Sequence, residues 1–128
     1  MQSRKVVIIG SGVSGMTAAI YLKRAGIDVL VIECDAPGGQ LNRSSSIENY
    51  PGFKFIDGPT LAINIYEQVT SLNVEYLFDK VVEIKENENK KIVKTSKEEI
   101  ECEYVIMATG RTSRTLNLDN ERKYIGKG

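Results

Sequence analysis

The chain has no histidine and no tryptophan among its 128 residues, only two cysteines and only three prolines. Without histidine, Ser-His-Asp and Cys-His catalysis and histidine metal sites are excluded within these residues. The cysteines, Cys34 and Cys102, form no C-x-x-C, and two distant thiols make no disulfide framework. Both read as spectators, and a reducing cytoplasm is the expected location. Charge of neither sign prevails: 17 acidic residues face 17 basic ones. That removes the electrostatic case for nucleic acid or an anionic membrane surface as a partner. No run reaches the ~18 apolar residues of a membrane span. Arg4-Lys5 before a fairly apolar stretch has the outline of a signal peptide, but the glycine spacing and the strand that follows explain the same residues better. Apolar content of 41% and charged content of 27% are those of an ordinary globular chain, and the length is that of one domain. Repeats and low-complexity segments are absent.

What is present is a glycine pattern in context. Gly10-Ser11-Gly12-Val13-Ser14-Gly15 follows the apolar run Val6-Val7-Ile8-Ile9 and opens a helix-like stretch. Strand, glycine turn, helix is the phosphate-binding entry of a dinucleotide site. Gly10 permits the tight turn, Gly12 lets a pyrophosphate approach the backbone, and Gly15 lets the helix pack against the strand. The first helical turn supplies free N–H groups and the positive end of the helix dipole. Gly26 caps the helix, and a second apolar run, Val29-Leu30-Val31-Ile32, ends in Glu33. That acid lies about 20 residues beyond the glycines, where a carboxylate takes ribose hydroxyls. It would repel a 2′-phosphate, so the ligand is FAD or NAD(H) rather than NADP(H). The glycine motif itself does not choose between those two.

The remaining pattern is α/β. Residues 4–9 and 28–33 read as buried parallel strands, and 13–25 as a helix. A long loop, Cys34 to about Phe55, carries Pro37-Gly38-Gly39-Gln40-Leu41 and Glu48-Asn49-Tyr50-Pro51-Gly52; ordered loops of such length are usually functional. Asp57 caps a second helix across 59–71, with Leu61, Ile65 and Val69 on one face. Residues 74–77 form a short strand. From 80 to 102, isolated apolar residues among Lys, Glu and Asn read as a polar antiparallel meander with a turn at 87–90. Tyr104-Val105-Ile106-Met107 reads as a further buried strand, ending in Ala108-Thr109-Gly110.

These motifs together resemble the N-terminal, FAD-binding segment of bacterial-type (low-molecular-weight) thioredoxin reductases, in the pyridine nucleotide-disulfide oxidoreductase class II family. The matching pieces are Gly10 through Tyr21, Gly38-Gly39-Gln40-Leu41, Ile47 through Phe53, Ala108-Thr109-Gly110 and Tyr124-Ile125-Gly126-Lys127-Gly128. G-G-Q-L followed by E-N-Y-P-G is far more specific than the glycine loop. The resemblance implies a Rossmann-like FAD/NAD(P)-binding fold: a parallel sheet with a three-stranded antiparallel β-meander, left incomplete because the C-terminal FAD segment is absent. Residues 1–117 would be the first segment of the FAD-binding domain, and 118–128 a linker towards an NADPH domain. The glycine loop would hold the FAD pyrophosphate and Glu33 the adenosine ribose. Gly39-Gln40, with Gly38 and Leu41 beside them, would lie along the ribityl and flavin portion, and Asn49 would contact the flavin or ribityl chain. The backbone near Val81 would lie by the adenine, and Ala108-Thr109-Gly110 would pass close to the dinucleotide.

The activity so implied passes electrons from NADPH to FAD, to a dithiol and to thioredoxin, with a homodimer as the expected assembly. In the family the redox C-x-x-C and the NADPH domain lie beyond the segment matched here, so residues 1–128 alone are expected to be inactive. The strand edge at Val105-Ile106-Met107 is expected to lack its closing neighbour, which predicts weak FAD binding and self-association. Two alternatives stand beside this reading: a dithiol-lacking flavoprotein reductase of the ferredoxin or flavodoxin type, and a non-catalytic flavin- or nucleotide-binding module.

Overall fold

The computed structural model of the chain describes residues 1–110. In chain order these form β1 (Gln2–Ile9), α1 (Val13–Arg24), β2 (Val29–Glu33), a 3₁₀ turn (Gly39–Arg43), α2 (Gly58–Ser71), β3 (Glu75–Phe78), β4 (Val81–Asn87), β5 (Lys90–Thr95) and β6 (Glu99–Met107). The strands make one six-stranded sheet in the order β3-β2-β1-β6-β5-β4. The first four of these strands run parallel, while β4, β5 and the start of β6 are antiparallel. This is an α/β fold with a mixed sheet.

The continuous apolar runs exist because both faces of the parallel part are covered. Val6, Ile8, Val29 and Val31 pack into one cluster with Met16 and Ala19 of α1 and Leu61, Ile65 and Val69 of α2. The alternate residues Val7, Ile9, Leu30 and Ile32 pack into a second cluster with Val93, Ile100 and Cys102. The meander therefore folds over the face opposite the helices, giving three layers. That arrangement also explains how β3 and β4, at opposite ends of the strand order, are joined by only Asp79 and Lys80.

Both helices have local stop signals, and α2 has a local start signal as well. α2 begins at Asp57, whose carboxylate accepts the Thr60 N–H at 2.9 Å, with Pro59 in the first turn. It ends before Asn73, which takes a left-handed φ of 62°. α1 ends before Gly26, with a φ of 78°. At the N-terminal end of the sheet, Arg4 holds Asp28 with a two-pronged bond at 2.7 and 2.9 Å and reaches Glu75 at 3.0 Å. This ties β1, the start of β2 and β3 together, and it holds Asp28 below the usual carboxylate range, chiefly through the Arg4 hydrogen bonds.

Three sequence expectations are corrected. The strand read as 104–107 is not separate from the meander: Glu99–Met107 is one nine-residue strand. It pairs with β1 from Ile100 to Met107 and with β5 from Glu99 to Cys102, so it belongs to both layers. Nor is its second half fully buried, because Tyr104 and Met107 are 59% and 61% exposed. Among the described residues no strand continues the β5 side of the ladder beyond Cys102. β1 starts two residues earlier than read, at Gln2, because β6 is long enough to pair with it there. The loop after β2 carries local structure of its own. It contains the 3₁₀ turn, and Ile47 and Ile56 exchange backbone hydrogen bonds at 2.8 and 3.0 Å. The expected linker at 118–128 and the Tyr124–Gly128 motif lie outside the described residues.

Candidate functional site

The C-terminal ends of β1, β2 and β6 open onto a cleft of about 890 Å³. In open α/β sheets this is where ligands bind, beside the strand from which the chain leaves in both directions. The volume is near the top of the range for small-molecule sites, roughly 300–1,000 Å³, as a dinucleotide requires.

The floor is the glycine loop. Gly10 takes a φ of 105°, and a Cβ there would collide with the Ala108 carbonyl. That close approach also accounts for small residues at the end of β6, whose Ala108 N–H donates to the Ile9 carbonyl at 2.8 Å. A Cβ on Gly15 would overlap the Gly10 carbonyl oxygen, so Gly15 seats α1 against β1. Gly12 differs: a Cβ there would meet no atom within 4 Å. Its absence leaves the backbone open to the cleft, at the N-terminus of α1, whose first turn carries no acidic residue. The donors and dipole of that turn are thus available to an anionic group.

Glu33 closes one side. It is buried, at 8% exposure, and accepts the Ser11 N–H at 2.8 Å and the Asp35 N–H at 2.9 Å through different oxygens. Each carboxylate oxygen keeps further acceptor capacity for a sugar hydroxyl. The Ser11 hydroxyl turns away to the Tyr76 hydroxyl, 2.7 Å distant. Burial raises the Tyr76 phenol above its ordinary value, while the Ser11 hydrogen bond opposes that rise.

The opposite wall is the G-G-Q-L run. Gly38 takes a φ of 115° and its N–H donates to the Ser11 carbonyl at 2.7 Å. A Cβ on Gly39 would lie 3.4 Å from the Gly12 Cα. The two glycine motifs therefore touch backbone to backbone.

Of the expected site residues, Gly10 through Ser14, Glu33, Gly38 through Leu41, Val81 and Ala108 through Gly110 line the cleft. Gly15 lies beneath the loop as a packing residue, and Asn49 stands on the exposed loop between Ile47 and Ile56, outside the lining. Cys34 is exposed at the cleft edge. Cys102 is buried in the second core cluster, where desolvation pushes its thiol up. Sequence reasoning missed Asp79, Lys80, Arg43 and Met107 in the lining, and Tyr76 behind it. The only signal for Asp79-Lys80 was a polar break between two strand-like runs.

Among the described residues no cluster of three or more acidic or cysteine side chains is arranged for a metal ion. No described helix is long and apolar enough to cross a membrane.

A profile of the pyridine nucleotide-disulphide oxidoreductases matches residues 4–128. The chain belongs to that family. Within it, the chain is 41% identical over 123 residues to a thioredoxin reductase of Ureaplasma parvum, covering 96% of this chain and 40% of the relative. It is 37% identical to that of Bacillus subtilis, with 96% and 39% covered. The fold of the chain superposes on Lactococcus lactis thioredoxin reductase with a TM-score of 0.89 at 39% identity, covering 98% of this chain and 41% of that one. For a thioredoxin reductase of Streptococcus pyogenes the TM-score is 0.87 at 43% identity, with 95% and 40% covered. The chain thus spans about 40% of the length of the curated relatives it matches.

Proposed function

We propose that these residues are the FAD-binding part of a thioredoxin-disulfide reductase, which passes electrons from NADPH through FAD and a dithiol to thioredoxin. The observation that carries this reading is the junction of the two glycine motifs: the Gly38 N–H on the Ser11 carbonyl, with Gly39 against Gly12. It builds one continuous backbone surface from a pyrophosphate cradle to the G-G-Q-L run.

FAD, when bound, supplies the hydride and electron transfer chemistry; the protein supplies binding, orientation and electrostatics. The N–H groups at the start of α1 hold the pyrophosphate, and the open face of Gly12 lets it come close. Glu33, already fixed by two N–H donors, accepts from the adenosine ribose and disfavours a 2′-phosphate. Lys80 and Val81 flank the adenine. Gly38 through Leu41 line the ribityl and flavin portion, with Asn49 on the neighbouring loop assigned to the flavin end. Ala108 to Gly110 keep the end of β6 small enough for the dinucleotide to pass. Thioredoxin as acceptor, a homodimer and a cytoplasmic location belong to the same proposal.

Residues 1–128 alone are expected to reduce no thioredoxin, because Cys102 is buried and far in sequence from Cys34. The test is a titration of the chain with FAD, followed by flavin fluorescence and by absorbance after gel filtration. Saturable binding at one FAD per chain, with NADP⁺ a poor competitor, supports the reading. No retained flavin and no change in fluorescence would overturn it. NADPH-dependent thioredoxin reduction by these residues alone would overturn the expected inactivity.

A further inference from the structure

We propose that Asp79 is a positioning residue that holds the adenosine end of the cleft in shape by latching the meander layer to the parallel sheet beside Glu33. The inference rests on reading the cleft as a dinucleotide site with Glu33 at its adenosine half.

The chain crosses from the parallel sheet to the meander through Asp79 and Lys80 alone. Three pieces of structure meet at this crossing. The Asp79 N–H donates to the Glu33 carbonyl at 3.0 Å, extending the contact between β2 and β3 by one residue. The Asp79 carboxylate accepts the Lys80 N–H at 2.8 Å, which fixes the Asp79–Lys80 peptide. The same carboxylate accepts the Lys97 N–H at 3.1 Å and the Ser96 hydroxyl, both from the turn between β5 and β6. The Ser96 N–H in turn donates to the Lys80 carbonyl at 3.1 Å.

Asp79 is a charged residue only 8% exposed, and its acceptor capacity is spent on the Lys80 and Lys97 N–H groups and the Ser96 hydroxyl rather than on a counter-ion. Hydrogen bonds to an ionised carboxylate are about twice as strong as neutral ones, and more so where water is excluded. Asp79 lines the cleft together with Glu33, Lys80 and Val81, so the Ser96→Ala variant, outside the lining, separates the latch from any direct contact of Asp79 with a ligand. Removing the carboxylate's charge weakens the hold on Lys80-Val81, leaving only the Ser96 N–H on the Lys80 carbonyl and the pairing of Val81 with Thr95, and lets the wall beside Glu33 loosen. The glycine loop has its own support, the Ser11 N–H on the Glu33 carboxylate and the Gly38 N–H on the Ser11 carbonyl.

The test uses the whole chain, with amide-detected NMR titrations of ADP and, separately, inorganic pyrophosphate, for wild type, Asp79→Asn and Ser96→Ala. Ser96 lies outside the cleft lining, so its substitution acts only through the latch. Asp79→Asn is expected to weaken ADP about tenfold and Ser96→Ala about threefold, as expected for losing charge-assisted hydrogen bonds, while pyrophosphate affinity stays unchanged in both. Should Asp79→Asn fail to fold, the Ser96→Ala result decides. An equal loss for both ligands overturns the inference, since a general loss of structure would weaken both. Unchanged ADP affinity in the folded variants overturns it as well. If wild type binds neither FAD nor ADP, the reading of the cleft falls first, and that result is distinct from a variant that binds like wild type.

Discussion

The backbone N–H of Ser11 donates to the carboxylate of Glu33 at 2.8 Å, in a contact closed to solvent. The glycine loop and the acid at the end of β2, the two halves of the dinucleotide signature, are thus bonded to each other before any ligand is considered. The contact predicts a stability role for Glu33 beside the binding role proposed for it. Glu33→Gln keeps the volume but leaves one oxygen to serve two N–H donors, and it turns an amide N–H₂ towards the other. The expected cost is about 1–3 kcal/mol, read from urea unfolding midpoints, together with weaker FAD binding. An unchanged midpoint would count against the role.

Tyr76→Phe isolates a second support of the same loop. The substitution keeps the edge-on contact with Tyr66 and the stacking on Phe78, at 5.3 and 5.4 Å between ring centres. It removes only the hydroxyl bonded to Ser11, whose side chain is fully buried. A loss of about 1 kcal/mol is expected in thermal or urea unfolding, and Ser11→Ala in the Tyr76→Phe background should cost little more.

Alanine at Gly12 and at Gly15 should have opposite consequences. At Gly15 the new Cβ meets the Gly10 carbonyl, so α1 must move off β1. The expected cost is about 3 kcal/mol, the upper end of ordinary overpacking. At Gly12 the backbone φ of −78° suits alanine and the Cβ enters open space. Stability should stay within about 1 kcal/mol of wild type, the scale of an N-cap change, while FAD affinity falls about tenfold or more, or roughly 1.4 kcal/mol. Circular dichroism melts paired with flavin titrations separate the two outcomes.

Acid should loosen the layer junction. The Ser96 hydroxyl, then that of Thr95, hold the Asp79 carboxyl at about 2, below its ordinary value of 3.8. The folded-state value is lower than the unfolded one, so the contribution to stability is complete above about pH 4, near the unfolded Asp value. It is lost as pH falls from there through 2. Asp28, held low by Arg4, acts in the same direction. Asp79→Asn should therefore flatten the pH dependence of the unfolding midpoint between pH 4 and 2, and a slope equal to wild type would contradict this.

Much of the fold was legible because its signals are local. The caps Asp57 and Gly26, the apolar face of α2 and the buried runs ending at Ile9 and Ile32 each follow from neighbours in sequence. The cleft lining was legible where motif spacing carried it, from Gly10 to Ser14, Glu33 and Gly38 to Leu41. Asp79 was not, because its partners Glu33, Ser96 and Lys97 are remote in sequence, and an Asp before a Lys at a strand end looks like any turn. Asn49 was legible only as a motif member, and nothing in its spacing says that its loop stands outside the cleft wall.

By itself the sequence determined the strand, turn and helix of the glycine loop, the acid that follows it, and the absence of histidine chemistry within these residues. Those depend on steric and hydrogen-bonding preferences within a few residues of each position. Only the tertiary structure decided that Gly38 bonds to Ser11, that Glu99–Met107 is one strand serving two layers, and that Asp79 joins those layers at the cleft. These depend on packing alternate residues of β1 and β2 against opposite layers, which fixes register and brings distant segments together. No local pattern encodes which partner each face will meet.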